Sequence, residues 1–548
     1  MENYQKLLTE DELKHVTNED LFQEIKDYKK DFEMKIIEKE MQKWRNGLQK
    51  APNDAQEREH RQQLEENKKV QWTPVMIAKA LKDEIAYFSA VTFKEINTDT
   101  NKVLYWYDWD KGAYTKDIAF INSLINVFND VLATGERNKI CEIIESNAEE
   151  KELDNTGRYI VFKNGTYDSE EERFIPYHDN NIYINRACPY NYHKEITTPS
   201  YKVKNIEGND IEWTPYSVIE AFKNGDDNRE ALFWQLLRAI LSPSKANHIF
   251  CYAYNEAGNG SKSTIGELFK SLAGDYKNMN LSGLGQRFAL VGVEKVPLIY
   301  GDDNDTKSTL NGSAMELFKS ITQGIAVPID EKNKPIYEGT SHGVWWQSSN
   351  APMQFNDYNG SLDRRIILLP FKQIPKEQRS TAILSDIIKR SEVIEWFISE
   401  TIKREPKPVQ AFTKPTNNAQ LLEELTLFND PYTDFVDEYI KPLTELLPRI
   451  PMRWIMQLLD SYAGHGNKSL RNKDQRAVTK GIKIHMEKLG YVYKNQGRIG
   501  KEKSKKIYMY EKDTSAGKPK TETGKLIGIF RHEIKLEDDR YKGVYVKE

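Results

Sequence analysis

The chain has 548 residues, 39% hydrophobic and 30% charged, which is enough for three or four cored domains of ordinary size. A net charge of −4 and an isoelectric point near 6.2 do not mark a nucleic-acid binder, so charge must be read segment by segment. Cys141, Cys188 and Cys251 form no C-x-x-C pair, which argues against a disulfide framework or a zinc ribbon and suits a reducing cytoplasm.

No apolar stretch approaches the roughly 18 residues of a membrane span, and MENYQKLLTEDEL is too acidic and polar for a signal or transit peptide. Residues 1–70 are predicted to be a helical region dominated by one long helix over 17–50. Thr17 and Asp20 can form a capping box. Leu21, Ile25, Tyr28 and Phe32, then Ile37, Met41, Trp44 and Leu48, make a narrow apolar stripe. That stripe fits a coiled coil, a docking helix, or a helix lying on its own domain.

Residues 71–240 read as an α+β region. VLYWYDWDKGAYTK alternates like a strand pair, DIAFINSLINVFNDVL is helical by period, and RYIVFKNGTYD predicts a hairpin turning at Asn164-Gly165. REALFWQLLRAILS is an amphipathic helix. Residues 241–402 then alternate: HIFCYAYNE, VPLIYGDD, VWWQSSN and RIILLPF are apolar strands, separated by the helices STIGELFKSLAG and AMELFKSITQG. That order predicts an α/β domain with a mostly parallel sheet. Pro406, Pro408 and Pro415 mark residues 403–429 as an extended linker. Residues 430–512 form a small domain, and 513–548 a second linker followed by a short terminal hairpin.

The stretch EAGNGSKSTIGELF nearly spells a phosphate loop, G-x-x-x-x-G-K-[ST]. Glu256 and Ser261 stand where glycines are usual, while Gly258 and Gly260 lie inside the loop with Asn259 between them. A strand precedes it and a helix follows, as phosphate binding requires. Lys262 can then reach the outer phosphates of ATP, Ser263 can ligate Mg²⁺, and Thr264 completes the motif. Asp302 and Asp303 end the next apolar strand, where such a pair holds the Mg²⁺ water shell and polarises the attacking water. Asp305 is a spare carboxylate, so which of the three is the base stays open. Asn350 ends the following strand and can orient that water. Arg364 and Arg365 precede the last strand, and in a ring one of them can reach a neighbouring subunit's γ-phosphate.

In this order GNGSKST, LIYGDDND, LFKSITQG…DEKNK, WWQSSN and LDRRIILLPF resemble superfamily 3 helicases. The likeness is to the phage and plasmid primase-helicase family with the poxvirus-type helicase domain, and within it to replication initiator-helicases of staphylococcal pathogenicity islands. RYIVFKNGTYD and FWQLLRAILS resemble the family's segment before the motor, so the likeness covers roughly residues 75–375. The resemblance implies an AAA+-like motor working as a homo-hexamer on single-stranded DNA, with 3′-to-5′ travel. It also implies a DNA-gripping hairpin, here with Lys332 and Lys334 at its tip. The departure is Ser261, where the family usually has glycine before the lysine.

From Gly466 to Lys506 thirteen Lys/Arg oppose three acidic residues, a net charge of about +10. Two helices, MRWIMQLLDSYAG and DQRAVTKGIKIHMEKLG, precede the strands YVYKN and KKIYMY, which flank a basic loop containing Arg498. This is the order of a winged helix. Trp454, Ile455, Leu458, Leu459 and Tyr462 face inward from the first helix; Val478, Ile482, Met486 and Leu489 do so from the second. Arg476, Lys480 and Lys483 fall on the second helix's other face, suited to duplex origin DNA. The sequence therefore predicts a hexameric, ATP-dependent DNA helicase and replication initiator. No carboxylate–histidine constellation precedes the motor, so primer synthesis is assigned to a separate primase. The alternatives are a non-unwinding, ATP-switched initiator and a bifunctional primase-helicase.

Overall fold

The computed structural model describes residues 8–48, 50–67, 69–94, 102–244, 248–304, 309–310, 312–332, 335–355, 366–444, 447–464, 470, 473–498, 507–509, 532–534 and 540–547. The chain is mixed α/β and divides into two compact units. One is Met1–Met353 with Arg365–Asn418, the other Gln354–Arg364 with Ala419–Glu548.

The first unit begins on the predicted long helix, Asn18–Gly47, opened by the Thr17–Asp20 capping box. Its apolar stripe has two uses. Leu21 and Ile25 are fully buried in the domain's own core, and Phe32 lies 5.0 Å from Trp72. Farther along, Trp44 stacks on His60 of a second helix, Asp54–Asn67, at 4.3 Å, and Arg45 forks onto Glu57 at 2.9 and 3.1 Å. The helix thus lies on its own domain at one end and pairs within the chain at the other.

The predicted strand pair is Lys102–Asp108 against Ala113–Thr115, in a four-stranded sheet completed by Ala90–Lys94 and Glu149–Lys151. The predicted hairpin pairs Tyr159–Phe162 with Gly165–Asp168, but its turn is Lys163-Asn164. Gly165 already lies in the second strand. There φ is 143°, and a Cβ would come within 2.2 Å of the Ile175 carbonyl, which is why that residue is glycine.

The site is carried by β1 (Phe250–Tyr254), α1 (Lys262–Ala273), β2 (Lys277–Asn278), β3 (Leu298–Gly301), β4 (Val327–Ile329), β5 (Tyr337–Gly339), β6 (Val344–Ser349) and β7 (Ile366–Pro370). Five of these strands make a wholly parallel sheet in the order β2-β3-β6-β1-β7. β1, β3, β7 and the first half of β6 are apolar, and almost every residue of these strands is buried, so both faces are covered, as parallel sheets demand. Phe222, Phe233, Phe269, Trp346, Trp396 and Phe397 fill the core beside them. The chain leaves β1 for the far edge, returns through β3 and β6, and finishes on β1's other side. β1 is therefore the switch point of the sheet, where ligand sites form at strand carboxyl ends.

Of the predicted linker 403–429, Asn418–Asn429 is a helix and not extended chain, because no proline follows Pro415 until Pro431. Residues 405–417 hold no helix or strand, as their prolines imply. They are nonetheless strapped down. Thr413 N–H donates to Gln235 at 2.7 Å, and Thr416 N–H to Asp226 at 2.8 Å. Asn418 accepts from Leu368 N–H on β7 at 2.9 Å.

The second unit contains β8 (Arg449–Pro451), α2 (Met452–Gly464), α3 (Gln475–Lys488), β9 (Tyr491–Arg498) and β10 (Arg540–Lys547). Its sheet is antiparallel in the order β8-β10-β9. Here the strand pairing differs from expectation. β9 pairs with β10, while the described part of KKIYMY, Ile507–Met509, pairs with His532–Ile534. The chain's end is therefore not a hairpin on itself. Val544 and Tyr545 are fully buried, Tyr545 in one core with Tyr491, and Gly543 (φ 79°) gives way to the Tyr493 hydroxyl, which would lie 2.5 Å from a Cβ. That apolar contact makes β10 the better partner. The predicted inward residues Ile455, Leu458, Leu459, Val478, Ile482 and Met486 are all in this core.

Candidate functional site

β1 delivers the chain into the loop Asn255–Ser261, and Lys262 opens α1. Gly258 (φ 69°), Asn259 (φ 52°) and Ser261 (φ 61°) are left-handed. Left-handed residues on either side of Gly260 give the loop the kind of backbone turn from which anion-binding N–H nests are built. The two glycines have different jobs. Gly258 supplies a conformation, whereas a Cβ on Gly260 would meet Asn255 Nδ2 at 2.8 Å and Phe371 Cβ at 3.0 Å. Asn259 is of a type that adopts the left-handed region at little cost; Ser261 holds it at about 1 kcal/mol. The loop is tied from below. Asn255 Nδ2 donates to the Phe371 carbonyl at 2.6 Å, and Ile374 N–H donates to the Asn259 carbonyl at 3.0 Å.

Lys262 is 8% exposed, and its Nζ donates to Asn350 Oδ1 at 3.3 Å. Burial pulls its amine below the usual lysine range, and the charges of Asp302 and Asp303 act against that. The lysine, the strand-end aspartates and the strand-end asparagine are thus one site. Ser263 is exposed in the first turn of α1, and Thr264 follows it half-buried. Asp302 is half-buried, with Oδ1 accepting from the Ser348 hydroxyl and from Asp303 N–H (3.0 Å). Asp303 is exposed and left-handed, φ 48°. Hard oxygen donors beside a buried ammonium and a left-handed, glycine-containing loop are a donor set that would fit a nucleotide with its divalent cation.

Asn304 is among the residues of the site that escaped the sequence reading. It is 6% exposed and makes contacts in three directions. It donates to Gln347 Oε1 and to the Ser348 carbonyl, both at 3.0 Å, and accepts from Leu281 N–H at 2.8 Å. Ser349 Oγ donates to its carbonyl at 2.9 Å. These bonds fasten the aspartate turn to the end of β6. The signal was two polar strings, DDND and QSSN, each closing an apolar strand.

β4 and β5 form the predicted hairpin, and Lys332 is exposed in its turn. The hairpin is held at Tyr337, whose hydroxyl donates to Glu294 at 2.9 Å, and at Asp330, which accepts from Arg287 at 2.7 Å. Lys334, Asp305, Arg364 and Arg365 lie outside the described residues, as does the side chain of Arg498.

On α3 of the second unit, Arg476, Lys480 and Lys483 are exposed, while Val478, Ile482, His485 and Met486 face the core. His485 Nε2 meets Asp430 Oδ2 at 2.7 Å beneath the helix. Tyr432 packs on Gly481 so closely that a Cβ would lie 2.2 Å from its ring.

Comparison with known proteins finds a family match for much of the chain that precedes the parallel sheet. Residues 28–209 match the family described as D5 N terminal like, a module of the phage and plasmid primase-helicases. Residues 254–365, which hold the loop, the aspartates and Asn350, match a family of unknown function, DUF5906. Among solved structures, the A form apo structure of NrS-1 C terminal region is 11% identical, covering 78% of this chain and 97% of that one, with a TM-score of 0.41. A second A form apo structure of that region is 12% identical, covering 76% and 95%, with a TM-score of 0.43. An apo structure of the same region is 13% identical, covering 72% and 91%, with a TM-score of 0.39.

Proposed function

We propose that this chain is an ATP-hydrolysing DNA helicase that initiates replication of a mobile element, working as a homo-hexamer on single-stranded DNA. The observation that carries the reading is the convergence of Lys262, Asp302, Asp303 and Asn350 at the carboxyl ends of three adjacent parallel strands. The loop N–H groups and Lys262 bind the phosphates, and Ser263 with Asp302 holds the metal and its waters. Bound Mg²⁺ neutralises charge on the phosphate oxygens. Asp303, exposed and without the clamp that holds Asp302, polarises the attacking water, and Asn350 orients it. Arg364 or Arg365 completes the site from the neighbouring subunit. The two helices and antiparallel sheet of the second unit act as a winged helix that docks on duplex origin DNA. Strand displacement from a tailed duplex tests the whole reading. ATP-dependent displacement supports it; ATP-dependent assembly on DNA without displacement favours the non-unwinding initiator.

Two variants follow from the loop and the hairpin. Ser261→Gly removes left-handed strain and restores the family's residue, so hydrolysis is expected to stay within about twofold of wild type. A steady-state assay that shows a large loss would give the Ser261 hydroxyl a role of its own. Lys332→Ala combined with Lys334→Ala is expected to leave DNA-free hydrolysis intact while displacement falls at least about 10-fold. A lysine at the tip acts as a point charge on a phosphate, outside the hydrolytic site.

A further inference from the structure

We propose that Tyr300 is a positioning residue for Asp302, reaching it through a gap in α1 at Gly266; this rests on the nucleotide-site reading above. Tyr300 stands two residues before Asp302 at the end of β3, and its hydroxyl donates to Asp302 Oδ2 at 3.1 Å. The other oxygen, Oδ1, accepts from the Ser348 hydroxyl and from Asp303 N–H. Both carboxylate oxygens are therefore oriented by the chain itself. Tyr300 is 5% exposed.

The helix that begins with Lys262 makes room for this bond. A Cβ on Gly266 would lie 2.5 Å from the Tyr300 hydroxyl. Glycine in a helix interior costs about 1 kcal/mol relative to alanine. Here the missing side chain is what lets the phenol approach. One turn on, Lys270 Nζ lies 4.8 Å from the ring centroid and pairs with Glu267. Lys262, Gly266 and Lys270 recur every four residues, so a single face of α1 presents the phosphate-binding lysine and seats the phenol. A residue that only filled space would need the ring and not the hydroxyl, because a buried hydroxyl is a liability unless it is bonded. Groups that orient a metal-holding carboxylate typically set metal affinity by about 10- to 100-fold.

The test is Tyr300→Phe in the full chain, read by binding of a fluorescent, non-hydrolysable ATP analogue. Affinity in EDTA is expected to stay within about twofold of wild type. The Mg²⁺ concentration that half-saturates the Mg²⁺-dependent gain in affinity is expected to rise about 10-fold or more. Loss of packing alone would weaken both. Gly266→Ala, which keeps the hydroxyl but displaces it, is expected to show the same selective defect and carries the test if the phenylalanine variant does not fold. A folded variant with the wild-type Mg²⁺ response overturns the proposal. Absence of Mg²⁺-dependent nucleotide binding in the wild type instead overturns the nucleotide-site reading itself.

Discussion

Lys262→Ala is expected to abolish ATP hydrolysis, by about 10³-fold or more, while the protein melts at the wild-type temperature or above it. The two halves of this expectation have one cause. Lys262 is almost wholly buried, its partner is the neutral amide of Asn350, and burial lowers its pKa. A base whose folded-state pKa is lowered binds its proton less well in the folded chain than in the unfolded chain. At any pH below both values, holding the charge therefore opposes folding. That penalty fades only as the pH rises through the lowered folded value toward the unfolded one. Alanine removes the penalty. It also removes the cation that a triphosphate would meet at the mouth of α1, and developing phosphate charge then goes uncompensated. Steady-state hydrolysis and a thermal melt on the same preparation check both halves. Near-wild-type turnover would mean that Lys262 is not the phosphate lysine, and a large fall in melting temperature would make it a structural residue.

How much of this was legible depended on how far apart in sequence the interacting groups lie. The Thr17–Asp20 capping box is a four-residue signal and forms as read. The strand–loop–helix around Lys262 was readable because apolar runs flank a glycine-rich turn, and the left-handed Ser261 follows from its place beside the lysine. The strand order was not readable. An apolar run says that both faces are covered, but not which strand is its neighbour, so Asn350 could be assigned to the attacking water while its bond to Lys262 could not be read. Asn304 looked like one more polar residue in an acidic turn until β6 came alongside and supplied its partners. The pairing of β9 with Arg540–Lys547 was hidden for the same reason. KKIYMY is nearer in sequence, but Tyr545 is what completes the core. The strap over Asp226 and Gln235 read as a linker because prolines fix an extended backbone without saying what side chains will bind it.

Replacing Arg476, Lys480 and Lys483 together with alanine is expected to weaken duplex origin binding and to flatten its salt dependence, with the fold unchanged. All three are exposed on α3, and the helix is held from its other face by Val478, Ile482 and Met486, by the His485–Asp430 bond, and by Tyr432 on Gly481. Surface cations removed from a helix anchored in this way change stability by about 0.5 kcal/mol or less each. The binding effect is far larger. Each lost phosphate contact lowers the slope of log K against log salt by about 0.9, so three remove up to about 2.7. Lys483 is expected to contribute least, because Glu487 lies 3.7 Å from its amine and already offsets part of its charge. A cation that reads a base instead of a phosphate would leave the slope and relax sequence preference at one position by about 1–3 kcal/mol. Binding isotherms on origin and scrambled duplexes at several salt concentrations separate these contributions. Displacement from a substrate with a ready single-stranded tail is expected to survive the triple substitution, since such a strand can load without a duplex-docking step. If the triple variant binds origin duplex with wild-type affinity and slope, α3 is not the docking helix. If tailed displacement is lost with duplex binding, the second unit is part of the motor's own grip on DNA, and the division of labour proposed here is wrong.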